Sequence, residues 1–235
     1  MIRAEDFYQV ENSPQKGIES YVKTDYASPQ LRFLVQEELS AIAEVEDPKL
    51  MAIIFYDIFK AIRWLFENAG TLHCDISYSN VMFYSENGKI CRVLHDFDSA
   101  STGTRSTPTS QRTGTKPYMA VDLLSGDDPE HLYRHDLESL LYVMIRHAGR
   151  FDDQGHVVEN PLFGEWDEGT RQLYKTKHTF ITSTPKWDEY LTGRYLAAFG
   201  PCFSDLHWMF REGFSARAKA EATPSSRRPA RSRSI

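Results

Sequence analysis

The chain of 235 residues lacks any long apolar run. No stretch approaches the roughly 18 consecutive apolar residues that a membrane-spanning helix needs, so no membrane partner is expected. Cysteine is scarce: Cys74, Cys91 and Cys202 are the only three, and no pair has a Cys-x-x-Cys spacing. This argues against a disulfide framework and a structural zinc site, and for a reducing intracellular compartment, cytoplasmic or nuclear. No Gly-x-Gly-x-x-Gly phosphate loop occurs, and there are no internal repeats. The leading MIRAEDFYQV carries charge too early for a secretory signal.

What is present suits one good core: 41% hydrophobic, 26% charged and 13% aromatic residues. The net charge of −6 is unevenly spread. Residues 216–235 hold six basic side chains and one acid, which is +5, and leave −11 on residues 1–215. A body that acidic argues against nucleic acid as a partner. Residues 1–30 are weakly patterned, with one candidate strand at Ile18–Val22. Residues 31–214 form the body, and 215–235, rich in Ala, Ser, Arg and Pro, are expected to be a disordered basic tail.

Along the body, Leu31–Val35 reads as a strand and Leu39–Val45 as a short helix. Asp47-Pro48 is a helix start, with Asp as cap and Pro in the first turn. Leu50–Glu67 is apolar on more than one face, which predicts a core helix, and Gly70 ends it. Val81–Tyr84 and Ile90–Leu94 flank Asn87-Gly88, the strongest short hairpin signal. Residues 99–114 are a Ser/Thr-rich loop without apolar periodicity. Helices are predicted at 133–147, 165–180, 186–199 and 203–214.

The chemistry-bearing stretch is Thr71–Phe83, TLHCDISYSNVMF. It places Asp75 and Asn80 five residues apart on a loop that leads into a strand. Such a pair suits phosphoryl transfer: the carboxylate orients an attacking hydroxyl and takes its proton, and the carboxamide holds a magnesium ion bridging phosphates. The short hairpin returns Asp96 close to Asn80, so the two can share that ion.

Four segments, in order, resemble the carboxyl-terminal lobe of a protein kinase: HCDISYSN (73–80), DFD (96–98), GTKPYMA (114–120) and HDLESLLYV (135–143). The combination is most similar to the fungal-type protein kinase family and covers roughly residues 31–200. The resemblance implies an α+β kinase-like fold: a mainly helical lobe with one small hairpin. It implies ATP and Mg2+ as cofactors and a protein Ser or Thr hydroxyl as acceptor. Asp75 would be the catalytic base, with Ser77 beside it. Asn80, Asp96 and Asp98 would hold the metal against the phosphates. Gln36 and Glu37 would present backbone groups to adenine. Thr115 and Tyr118 would support the base and dock the substrate, and Asp136 would fix the catalytic loop. Residues 99–113 would be the activation loop.

The departures are specific. Cys74 stands where most protein kinases carry Arg, which argues against control by an activation-loop phosphate. Ser77 replaces the usual Lys, Asp98 replaces Gly, and Ala120-Val121-Asp122 replaces Ala-Pro-Glu. Only Lys16 and Lys23 are candidates for the phosphate-pairing lysine, and too few residues separate them from Asp75 for a full ATP-covering lobe. That lobe is therefore expected to be truncated or absent. Two other readings stand beside the kinase: a catalytically dead kinase-like binding module, and a small-molecule phosphotransferase, against which Gly114–Ala120 argues.

Overall fold

The computed structural model describes residues 4–9, 32–36, 38–102, 114–125, 129–159, 161–164, 166 and 169–222. β1 (Ala4–Gln9) pairs antiparallel with β2 (Arg32–Gln36), which places the strand read at Leu31–Val35 one residue later. Ile18–Val22, Lys16 and Lys23 lie outside the described residues, and with them most of what bears on the ATP-covering lobe. The short helix read at Leu39–Val45 is replaced by β3 (Ser40–Ala41) and a 3-10 turn, Ile42–Glu44. A seven-residue stretch has little helical stability of its own, and here tertiary pairing wins: β3 pairs with Met82 and Phe83 of the following hairpin.

α1 (Pro48–Ala69) begins at Asp47, whose side chain accepts from Lys49 N at 3.1 Å, with Pro48 in the first turn. It ends at Gly70, which is left-handed (φ 58°) and donates its amide to Leu65 O. Met51, Ile54, Phe55, Ile58 and Ile62 make one buried stripe at helical spacing. The second apolar face is not core: Ile53, Tyr56 and Trp64 stay about half or more exposed, at 48%, 63% and 60%.

β4 (Thr71–Leu72) leads into the loop that carries Asp75. β5 (Val81–Glu86) and β6 (Lys89–Leu94) then pair in register from Val81↔Leu94 to Glu86↔Lys89. Asn87 and Gly88 both take positive φ, 52° and 74°, as a two-residue hairpin turn requires. Asp57 of α1 ties this hairpin down through Arg92 at 3.1 Å. β7 (Ser101–Thr102) returns beside β4.

Two 3-10 turns, Lys116–Tyr118 and Asp122–Leu124, precede α2 (Tyr133–Ala148). α2 is the spine: eleven of its sixteen residues are buried, polar ones included. α3 (Pro161–Gly164), α4 (Thr170–Thr182), α5 (Trp187–Tyr190) and α6 (Gly193–Ala222) follow. The helices predicted at 186–199 and 203–214 are differently divided. The break falls at Leu191-Thr192, and α6 runs through Pro201. Its stripe Tyr195, Phe199, Phe203 and His207 recurs every four residues across the proline, and the packing of that stripe holds the helix together. Residues 215–222, expected in the disordered tail, continue α6; SARAKAEA contains good helix formers and no breaker. Residues 223–235 lie outside the described residues. Among the described residues the result is a mixed fold with helices predominant and three small antiparallel sheets. Among the described residues no helix is long and apolar enough to cross a membrane.

The core contains buried imidazoles. Burial pushes His147 down to about 4, and its Nδ1 lies 2.9 Å from the Tyr78 hydroxyl. Burial also lowers His73, His135 and His207. The unfolded chain takes up protons at pH ~6.5 while the fold keeps these rings neutral, so stability falls as pH drops below that value. In urea titrations, His147 alone is expected to remove about 3 kcal/mol between pH ~7.5 and ~4, because each tenfold loss of proton affinity on folding corresponds to about 1.4 kcal/mol. His147→Gln should flatten that part of the profile.

Candidate active site

The loop between β4 and β5 is fixed from below by α2. Asp136, in the first turn of α2, is 1% exposed. Its Oδ2 accepts from His73 N at 2.8 Å and its Oδ1 from Cys74 N at 3.1 Å. His131 Nε2 lies 2.8 Å from the same Oδ1. These bonds hold Cys74 in the left-handed region (φ 65°), which a non-glycine residue occupies only when its surroundings impose it. The His73 ring bridges the loop to the hairpin: Nδ1 accepts from Asp75 N at 3.3 Å, and Nε2 lies 3.0 Å from His95 O. The Cys74 thiol is buried and pushed up to about 12, chiefly by burial. It stays protonated and neutral, so no cation stands at this position.

Asp75 is held from the other side. Thr115 donates both its amide and its hydroxyl to Asp75 Oδ1, at 2.8 and 2.9 Å. Among the described residues Oδ2 has no hydrogen-bond partner. The approach of the two segments is close: a Cβ on Gly114 would sit 3.3 Å from Cys74 O, and Gly114 has φ 125°. Only glycine takes that backbone conformation without strain.

Asn80 sits at the start of β5, where its Nδ2 donates to Asp75 O at 3.0 Å. That bond turns the carboxamide so that Oδ1 is its remaining ligand atom. His95 N donates to Asn80 O at 2.8 Å, next to the Val81↔Leu94 pair, so the hairpin brings Asp96 beside Asn80. Asp96 is exposed and left-handed (φ 62°), and its Oδ1 accepts from Asp98 N at 3.2 Å. One amide oxygen and two exposed carboxylates are a hard, oxygen-only donor set. This fits magnesium, which is usually held by one or two carboxylates together with substrate phosphates and water. No group of three or more His, Cys, Asp or Glu able to hold a metal by itself occurs among the described residues.

The remaining sequence-derived positions are less exposed to a ligand or are not described. Ser77 is fully buried and its hydroxyl lies 3.0 Å from Ser79 Oγ, which engages it within the loop. Tyr118 is buried under the 116–118 turn with Arg146 over its ring at 5.8 Å. Gln36 closes β2, and Glu37 lies outside the described residues, as do residues 103–113 of the Ser/Thr-rich loop.

Three groups that the sequence did not single out anchor the 114–124 segment. Glu138, two residues after Asp136, accepts from Val121 N and from the Tyr142 hydroxyl, both at 2.8 Å. Lys177 of α4 is fully buried, donates to Met119 O at 2.7 Å and lies 3.8 Å from the centre of the Tyr142 ring. Burial drives Glu138 up and Lys177 down, and each opposes that shift in the other. Asp122 pairs with Arg134 and with Arg217 of α6, and His135 Nε2 lies 3.4 Å away. Burial alone would raise its carboxyl, but these donors hold it well below the usual carboxylate range. Glu138 lies inside the HDLES segment and could have been found there. Lys177 and Arg217 look like solvated helix charges and carry no sequence signal.

A family model described as fungal protein kinase matches residues 10–148, more than half of the chain. The match takes in the loop, the hairpin, the 114–124 segment and α2, and it reaches back into the stretch before β2. No curated protein matches the chain.

Asp136→Ala should leave two buried amides without an acceptor and lower the free energy of unfolding by about 2–4 kcal/mol, read by urea denaturation. Asp136→Asn keeps one acceptor oxygen and should cost about half as much.

Proposed function

We propose a protein kinase reaction for this chain, which belongs to the fungal protein kinase family. The reaction is transfer of the γ-phosphoryl of ATP to a Ser or Thr hydroxyl of a protein. The observation that carries it is the double hydrogen bond from Thr115 to Asp75 Oδ1. It clamps one carboxylate oxygen and orients the other for an incoming hydroxyl. The acceptor oxygen attacks the γ-phosphorus, the bond to the β-phosphate oxygen breaks, ADP leaves, and the hydroxyl proton passes to Asp75. General-base assistance of this kind contributes about 10²–10⁴-fold.

Asn80, Asp96 and Asp98 would hold Mg2+. The ion, when bound, neutralises charge on the phosphates and keeps them aligned. The Asn80–Asp75 hydrogen bond ties the proposed metal ligand to the proposed base, so the two keep their spacing. With Cys74 and Ser77 in place of basic residues, this loop brings no cation of its own to the transferred group, and that role would fall to an ion held by Asn80, Asp96 and Asp98. Gln36 and Glu37 would present backbone groups to adenine.

The competing reading is a kinase-like binding module without turnover. It draws support from the absence of loop cations, whereas retention of Asp75, Asn80 and Asp96 together favours chemistry. Mg2+-ATP at about 100 times its Kd should stabilise the fold by about 2.7 kcal/mol, measured as a rise in Tm. Asp75→Asn should keep that shift and lose about 10²–10⁴-fold in phosphoryl transfer to protein acceptors. Asp96→Ala should lose the magnesium-dependent part of the shift. Absence of any shift with millimolar nucleotide would leave the binding module as the reading, and labelling of small alcohols in place of protein would point to a small-molecule phosphotransferase.

A further inference from the structure

Away from the loop and hairpin, a cavity of about 750 Å³ opens among α1, α2, α4 and α6. Its walls are apolar: Phe55 and Phe59 of α1, Leu141 and Met144 of α2, Leu206 and Phe210 of α6. A volume of this size lies within the usual range of ligand pockets, about 300–1,000 Å³. Phe55 and Leu141 line it and are each only 2% exposed. Tyr56 and Met209, at its rim, are 63% and 61% exposed. A methylene chain laid along these walls gains apolar contact along its length.

The charged residues of the lining are Arg134, Arg217 and Glu138, the last already opposed by Lys177. Arg134 and Arg217 both line the cavity and both pair with Asp122, so they lie together. Arg134 is partly exposed, and its guanidinium offers five N–H donors in a planar fork that matches a carboxylate. A second observation concerns Gly213. It lines the same cavity inside the thirty-residue α6. Glycine is the poorest helix former after proline, and a Cβ at Gly213 would meet nothing within 4 Å. Gly213 is exposed at the cavity's edge, and a side chain there would meet no neighbouring atom.

We propose that this cavity binds one long-chain aliphatic acid. Its alkyl tail lies among Phe55, Phe59, Leu141, Met144, Leu206 and Phe210, and its carboxylate accepts from Arg134. The assignment stands independently of the phosphoryl-transfer reading.

The test uses the whole chain and a fluorescent long-chain polyene acid, with unlabelled palmitate as competitor. Saturable one-to-one binding, displaced by palmitate, is the expected result. Gly213→Leu adds bulk at the cavity's edge and should weaken binding at least about tenfold while the Tm stays level or rises. Ala52→Phe, on the facing wall, is a second such variant should the first lower the Tm. Palmitate methyl ester should compete about tenfold less well than the acid, and Arg134→Gln should remove that preference. The proposal is overturned by no saturable binding, by binding indifferent to both variants, by equal competition by ester and acid, or by binding to phosphatidylcholine vesicles in place of the monomeric acid. Light scattering supplies the last check, because a dimer that dissociates on Gly213→Leu would make the cavity an interface between two copies of the chain.

Discussion

The carboxylate of Asp136, buried at the start of α2, is the contact on which the rest of the site depends. It accepts from two successive backbone amides, His73 N and Cys74 N. Buried amides need acceptors, and a charged acceptor makes the stronger bond. With both satisfied, the chain can turn through a left-handed cysteine and still direct Asp75 outward from the core side. Remove that acceptor and neither the His73 bridge to the hairpin nor the Asn80–Asp75 hydrogen bond has a fixed partner to meet.

α2 serves two segments at once. Asp136 holds the loop before β5, and Glu138 holds Val121 in the segment that follows the Ser/Thr-rich stretch. Thr115 closes the circuit by donating to Asp75. The two arms of the site are thus referenced to one rigid helix, and their separation is set by side chains two residues apart on it. Lys177 and Arg217 extend that reference to α4 and α6. Buried ion pairs are weak contributors to net stability but expensive to break singly, and in the proposed kinase that asymmetry would keep the 114–124 segment in one position.

Much of this was legible beforehand, for physical reasons. Capping and turn chemistry are local, so Asp47-Pro48, Gly70 and Asn87-Gly88 fall where their backbone preferences put them. The hairpin is short enough that its turn fixes its register, which is why the proximity of Asn80 and Asp96 could be read from spacing. The errors arose where long-range packing competes with local preference. The stretch 39–45 joined a sheet instead of coiling, the outer face of α1 stayed in solvent, and α6 continued past both Pro201 and the expected start of a disordered tail.

The order of the four kinase-like segments and the candidacy of Asp75, Asn80, Asp96 and Asp136 came from the sequence alone, because residue type and spacing are local properties. Which charges are buried was decided only by the tertiary structure. Lys177 and Arg217 read as solvated helix cations until α4 and α6 pack them against Met119 O and Asp122. An apolar helix stripe likewise fixes which face turns inward but not how tightly neighbouring helices close over it, so the cavity beside Gly213 emerged only when four helices met.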